Sequence, residues 1–171
     1  MYTYLQTQWQ LLADKYNADT DLVLDLWQQL ATAYSHPARH YHNLHHLGYM
    51  LQQLYPHQQQ LSDFDTVAFA VYFHDVVYSV TRSDNEAQSA EVATMNLRKL
   101  GMPEAKIAAC THLILATQHH AAGAPDADAN YLIDSDLAIL GEEWALYEKY
   151  TRQIRKEYSL YPDMVYKPGR R

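Results

Sequence analysis

Apolar and polar positions repeat with a helical period along most of the chain. Leu44, Leu47, Leu51 and Leu54, for example, are spaced by three or four residues, as on one face of an α-helix. No alternating pattern long enough to predict a β-strand appears. Helices are predicted over residues 2–16, 20–34, 42–55, 64–79, 84–100, 104–119 and 142–158, with a loop over 121–129. With no repeat or linker, residues 1–171 are predicted to form a single all-α helical bundle.

The pair His74-Asp75 interrupts the most apolar part of this pattern. The run from Val67 to Tyr78 has no polar face at a helical period, so a helix formed by it would be buried on all sides. A buried carboxylate is costly unless it is paired or binds a metal. A divalent metal accepts both imidazole and carboxylate ligands. The alternatives are a buried His–Asp hydrogen bond and a salt bridge to a distant arginine.

Histidines cluster at the start of the leucine-rich helix. They are His36, His40, His42, His45 and His46. His42 and His46 are four residues apart, which predicts that they project from one helix face, one turn apart. We interpret the other three as polar surface residues.

Asp134 and Asp136 interrupt a second apolar stretch. Residues two apart do not share a helix face, so the two carboxylates should differ in role. We predict that Asp134 caps a helix and that Asp136 is a metal ligand. Earlier in the chain, His119 and His120 end an apolar helix. They either interact with the C-terminus of that helix or belong to the metal site.

These motifs together resemble the HD superfamily of metal-dependent phosphohydrolases. The superfamily pattern is a histidine, a later His-Asp pair and a later aspartate, all on helices. The segment from Tyr41 to His46 is also similar to the Tyr-His-Asn-x-x-His block of the cyclic-nucleotide phosphodiesterases, which are distant relatives. The resemblance implies an HD-type bundle with His42 as proton donor. It implies these metal ligands: His46, His74, Asp75 and Asp136.

A closer resemblance is to a bacterial group of predicted metal-dependent HD phosphohydrolases. The shared blocks include Phe73-His-Asp-x-Val-Tyr78 and Ile154-Arg-Lys-Glu-Tyr158. In this group, further helix follows a block like Tyr166-Lys-Pro-Gly-Arg-Arg171, at which the present chain stops. We expect the surface covered by that helix to be exposed or covered by a partner, for instance in a homo-oligomer. The resemblance does not identify a substrate.

The expected ligand set defines the expected chemistry. Mixed imidazole and carboxylate ligation suits Mn, Mg, Co, Ni, Fe or Zn, and the lack of a nearby thiolate disfavours a structural zinc site. Such an ion acidifies water and polarises a phosphoryl oxygen, and His42 is positioned to protonate the leaving oxygen. We therefore predict a metal-dependent phosphohydrolase of a small phosphate ester, with nucleotides among the candidates.

Two polar residues after the His-Asp pair have open roles. Glu86 is a candidate catalytic residue that would touch the substrate or the attacking water. Alternatively, Glu86 closes a capping box that begins at Ser83. Arg82 either binds phosphate or is a surface charge.

Composition narrows the function classes further. The net charge of -7 argues against a nucleic-acid polymer as partner, but is compatible with a small phosphorylated substrate at a bound cation. No apolar run approaches the length of a membrane span and no signal pattern opens the chain. Cys110 is the single cysteine and cannot form an internal disulfide. We expect a cytoplasmic protein.

Two other function classes fit the same motifs. An HD-type di-iron oxygenase would need two more histidines between Asp75 and Asp136, and the histidines in that interval all come late: His112, His119 and His120. A metal-binding module without catalysis would need only the ligands.

Overall fold

The helical periodicity of the sequence is realised in a computed structural model, which describes residues 1–16, 19–118 and 126–166. Within these residues there are nine α-helices and no β-strand. The helices are α1 (Tyr2–Ala13), α2 (Thr20–Tyr34), α3 (Leu44–Leu54), α4 (Phe64–Phe73), α5 (Asn85–Lys99), α6 (Glu104–Ala116), α7 (Ala127–Leu137), α8 (Trp144–Glu157) and α9 (Asp163–Tyr166). Short 3₁₀ turns follow α1, α3 and α7. The prediction of a single all-α bundle is confirmed.

Helix α4 lies at the centre of the bundle, where it contacts α3, α5, α6 and α7. Every residue from Thr66 to Phe73 is buried. Trp9 of α1 packs edge-on against Phe69 and Phe73, with ring centroids 5.6 and 5.9 Å apart. None of the helices described is long and apolar enough to cross a membrane.

Helix α3 begins later than its leucine stripe predicts. The side chain of Asn43 accepts a hydrogen bond from the backbone N–H of His45 at 2.9 Å, which makes Asn43 the N-cap. His42 therefore precedes the helix. The expectation that His42 and His46 share one helix face is wrong, although the fold still brings their rings to 5.6 Å.

Helix α4 ends earlier than predicted, at Phe73 instead of residue 79. The pair His74-Asp75 consequently lies at the end of a buried helix and not within it. Arg39 Nη1 donates to the carbonyl of Asp75 at 2.6 Å, and the N–H of Asp75 donates to Tyr34 Oη at 3.2 Å. Because these side chains pair the backbone groups that leave the helix, the chain can turn there without unpaired buried polar groups.

Helix α7 begins within the segment predicted to be a loop. Its N-cap is Asp126, whose side chain accepts from the N–H groups of Asp128 and Ala129. Asp134 lies inside this helix and is exposed, so the prediction that Asp134 caps a helix is wrong. Residues 121–125 of the predicted loop lie outside the described residues.

Candidate metal centre

Three helices bring two imidazoles and a carboxylate to one point. His46 lies on α3, His74 at the C-terminal end of α4 and Asp136 near the end of α7. One ligand atom from each lies within 4.8 Å of the others. His46 Nε2 is 3.2 Å from Asp136 Oδ1 and 3.3 Å from His74 Nε2. Residues distant in sequence thus form a compact set of candidate ligands.

Asp75 contributes a fourth atom, because its Oδ2 is 3.3 Å from His74 Nε2. Neighbouring ligands about 2.1 Å from an octahedral ion lie about 3.0 Å apart. The separations of 3.2–3.3 Å are close to that spacing. His46, His74 and Asp136 therefore fit one divalent ion in both chemistry and spacing, and Asp75 borders this group through its contact with His74.

The ring of His74 is oriented by its other nitrogen. His74 Nδ1 lies 2.8 Å from the carbonyl oxygen of Val71, so it donates its proton there and directs Nε2 towards Asp75 and Asp136. This is the usual second contact of a metal-binding histidine. His46 lacks the equivalent contact, since its Nδ1 is buried without a partner among the described residues.

The carboxylates dominate the electrostatics of this cluster. Burial lowers the pKa of His46, which keeps its ring neutral and able to ligate. Burial would also lower the pKa of His74, but Asp75 and Asp136 outweigh burial and raise the His74 pKa to about 9. Burial opposes ionisation of Asp75, yet the neighbouring histidines hold its pKa well below the usual range. The cluster therefore favours positive charge at its centre.

His42 lies beside the cluster and is held by a carboxylate that the sequence did not reveal as functional. Its Nε2 is 4.0 Å from Asp75 Oδ2. Its Nδ1 is 2.7 Å from Glu157 Oε2, and Glu157 also accepts from the N–H groups of Tyr41 and His42 at 2.7 and 3.0 Å. Burial favours the neutral ring, but Glu157 and Asp75 outweigh it and raise the pKa of His42. His42 is thus stabilised as a cation.

Glu157 ends α8 and is buried, although Arg155 and Lys156 before it suggest a solvated helix face. Its buried position lowers its tendency to ionise, but the hydrogen bond with His42 reverses this and holds its pKa at about 2. The signal that could have revealed it was the Ile154–Tyr158 block of the family resemblance, which contains Glu157.

Arg39 is a second residue with an unexpected role. Its guanidinium donates to the carbonyl of His42 at 3.3 Å, as well as to those of Asp75 and Val76 at 2.6 and 3.0 Å. One side chain therefore joins the turn before α3 to the segment after α4. This fixes the distance between the candidate proton donor and the candidate ligands.

The cluster opens into a cavity of about 390 Å³, which we call the polar cavity. Its lining includes His74, Asp75, Asp136 and Glu86. Glu86 does not close a capping box, because Asp84 is the N-cap of α5 and Ser83 precedes it. The capping-box interpretation is wrong, and Glu86 lines the polar cavity near the ligands.

Other polar residues considered in the sequence fall at the edge of the site or away from it. Arg82 lines the polar cavity, but is paired with Asp84 through contacts of 2.8 and 2.7 Å. His112 is exposed and lies 3.6 Å from Asp126. The surface interpretation of three histidines is confirmed, since all are exposed: His36, His40 and His45. His119 and His120 lie outside the described residues.

Comparison with known proteins adds no assignment, as no family model, curated protein or solved structure matches the chain.

Proposed function

We propose that this protein is a metal-dependent phosphohydrolase of small phosphate esters and belongs to the HD superfamily. The observation that supports this most strongly is a single juxtaposition. His46, His74 and Asp136 place one ligand atom each within 4.8 Å of the others, Asp75 lies 3.3 Å from His74, and His42 lies 4.0 Å from the Asp75 carboxylate. Ligands, proton donor and cavity are thus adjacent.

The roles divide among the chain's own residues. His46, His74, Asp75 and Asp136 would hold the ion. When bound, a divalent ion supplies a Lewis acid that polarises a phosphoryl oxygen and acidifies water. His42 protonates the oxygen of the leaving group from Nε2, while its Nδ1 remains bonded to the Glu157 carboxylate.

Glu157 acts as a positioning residue in this scheme. It touches His42 on the side away from the cluster, so it orients the ring and stabilises its charge without reaching the substrate. Glu86 is proposed, from its place in the polar cavity, to contact the substrate or the attacking water.

Metal content tests the ligand assignment. The purified protein is saturated with one of the candidate ions, Mn²⁺, Mg²⁺, Co²⁺, Ni²⁺, Fe²⁺ or Zn²⁺, and the unbound ion is then removed. The protein should retain about one equivalent of its preferred ion. Asp136→Ala should lose the ion. Asp134→Ala is the matched control, because Asp134 lies on the same helix and is exposed. Equal retention by the two variants would remove Asp136 from the ligand set.

A phosphatase screen tests the activity. The panel comprises nucleoside monophosphates, cyclic nucleotides, pyrophosphates and an aryl phosphate, each with and without the preferred ion. We expect turnover of at least one ester that depends on the ion. His42→Ala should retain the ion and lose about 10²–10⁴-fold in rate. Loss of ion and rate together would instead make His42 a ligand.

The same experiments separate the other function classes. If no ester in the panel is turned over with the ion bound, phosphohydrolase activity is contradicted. Iron-dependent oxygen consumption would then favour the di-iron oxygenase. No activity in either assay would favour a metal-binding module without catalysis. A cytoplasmic location and a homo-oligomeric state remain separate predictions.

A further inference from the structure

A second cavity adjoins the polar cavity and shares His42, Tyr150 and Tyr158 with it. It has a volume of about 440 Å³ and we call it the aromatic cavity. Its walls come from α8, α9 and the segment between them, including Ile154, Tyr158, Tyr161 and Val165, together with His42 and Val80. His42 lines both cavities. A volume in this range suits a small organic ligand.

The aromatic cavity differs from the polar cavity in its chemistry. Apart from His42, its lining consists of tyrosine, valine and isoleucine side chains, none of which carries a permanent charge. Rings of Tyr158 and Tyr166 lie with their centroids 5.8 Å apart. Tyrosine rings present flat apolar faces together with a polar edge. This lining suits a flat, uncharged group and disfavours a phosphate.

The wall is held in place by contacts outside the cavity. Arg155 donates to the carbonyls of Tyr158 and Tyr161 at 2.9 and 3.2 Å, and pairs with Asp163 at 2.8 Å. Its guanidinium also lies over the ring of Tyr166, 4.8 Å from the centroid. One arginine thus fixes the turn from α8 to α9, so little ordering is required when a ligand enters.

The position of His42 assigns the two cavities to two parts of one substrate. The phosphoryl group belongs beside the ligands in the polar cavity. In hydrolysis, water oxygen bonds to phosphorus and the bond from phosphorus to the ester oxygen breaks. The bonding pair stays on that oxygen, which takes a proton from His42 Nε2, and a proton from water restores His42. The ester oxygen must therefore lie at His42, which is where the aromatic cavity begins.

We propose that the substrate is a phosphate ester whose leaving group is a flat, uncharged aromatic alcohol bound in the aromatic cavity. This rests on the proposed phosphohydrolase activity and narrows its substrate class. A purely aliphatic or highly charged leaving group would lack the ring contacts that Tyr158 and the neighbouring tyrosines offer.

Benzyl phosphate and n-propyl phosphate form the test pair. Both release a primary alcohol of similar acidity, so their intrinsic reactivities are close and the ring is the main difference. We expect kcat/KM to favour benzyl phosphate by about 10–100-fold in the metal-loaded protein, the range that apolar pocket contacts give.

Val165→Glu brings a charge to the edge of the aromatic cavity. Val165 is 58% exposed, so we expect the substitution to leave the fold intact. The preference for benzyl phosphate should fall to about 3-fold or less. Met164→Glu is the matched control: the neighbouring side chain is 89% exposed and absent from the cavity lining, so the same added charge should leave the preference unchanged.

Three outcomes are distinguishable. A wild-type preference that Val165→Glu abolishes and Met164→Glu retains supports the assignment. Equal turnover of the two esters by the wild-type protein, or equal effects of the two substitutions, overturns the aromatic leaving group while leaving the phosphohydrolase proposal intact. No turnover of either ester, or of the wider panel, with the ion bound overturns the phosphohydrolase proposal and this inference with it.

Discussion

Replacing Glu157 should reveal how much the buried carboxylate contributes to the assembly of the site. Its two oxygens accept from the N–H groups of Tyr41 and His42, from His42 Nδ1 and from Tyr78 Oη, at distances of 2.7, 3.0, 2.7 and 2.9 Å. Glu157→Ala leaves all four donors without this partner. One of them is the His42 ring, whose protonated form Glu157 stabilises.

The expected loss is large on the scale of protein stability. Removing one partner of a buried, hydrogen-bonded ion pair costs about 3–5 kcal/mol, against a total free energy of unfolding of about 5–15 kcal/mol. Glu157→Gln should cost less, about 1–2 kcal/mol. The amide oxygen can still accept from the two backbone N–H groups, whereas the amide nitrogen that replaces Oε2 can no longer accept from His42 Nδ1 or Tyr78 Oη.

The losses in free energy of unfolding are measured by urea unfolding at pH 7, followed by far-UV circular dichroism. A chelator is present, so that bound metal does not contribute. Glu148→Ala is the control on the same helix. Glu148 accepts from Arg152 at 2.8 Å on the surface, and an exposed pair of this spacing contributes about 0.3–0.5 kcal/mol. Glu157→Gln should also retain bound ion yet hydrolyse the best substrate more slowly, as expected of a residue that acts through His42.

The prediction is refuted if Glu157→Ala lowers the free energy of unfolding by no more than Glu148→Ala does. It would mean that water or a local rearrangement satisfies the four donors equally well. Full activity of Glu157→Gln with the ion bound would separately remove the positioning role.

Three further predictions concern pH, backbone conformation and metal. Burial opposes ionisation of Asp63, but hydrogen bonds from Lys106 and Thr66 outweigh it and lower the pKa of Asp63 from 3.8. The wild-type protein should therefore exceed Asp63→Asn in free energy of unfolding by its full margin above about pH 5. This margin should decline as the pH falls below the pKa that Asp63 has in the unfolded chain. A difference in urea unfolding that does not change with pH would contradict the prediction. Gly101 has a φ of +79°, so Gly101→Ala should cost about 1–2 kcal/mol. Gly141→Ala, where an added Cβ meets nothing within 4 Å, should unfold at nearly the wild-type urea concentration, and equal losses would argue against backbone strain. The preferred divalent ion at about 100 times its Kd should stabilise the fold by about 2.7 kcal/mol, measured by thermal unfolding with and without chelator; Asp136→Ala should show no such gain, and an equal gain would point to binding elsewhere.

The sequence alone determined the fold class, because helical periodicity depends on local spacing. Helix α2 begins and ends at the predicted residues 20 and 34, where Asp19 supplies a local cap. Periodicity could not predict where α3 begins or α4 ends. The start of α3 depends on the cap supplied by Asn43. The end of α4 depends on side chains from elsewhere in the chain, Arg39 and Tyr34, at the backbone of Asp75.

The candidate ligands could also be selected from the sequence, since a charged pair in an apolar run is costly without a partner. Asp136 reaches the cluster, whereas Asp134 is exposed on the same helix and does not cap it. The metal-binding role itself stays a prediction.

Only the tertiary structure identified Glu157 and the aromatic cavity. Glu157 is 115 residues from His42 in sequence, and its neighbours Arg155 and Lys156 resemble a solvated helix face. Its role depends on how the end of α8 packs against the turn before α3, a long-range contact that no local pattern encodes. Local spacing specifies helices and their apolar faces, whereas a site assembled at several helix ends is specified by the packing of those helices together.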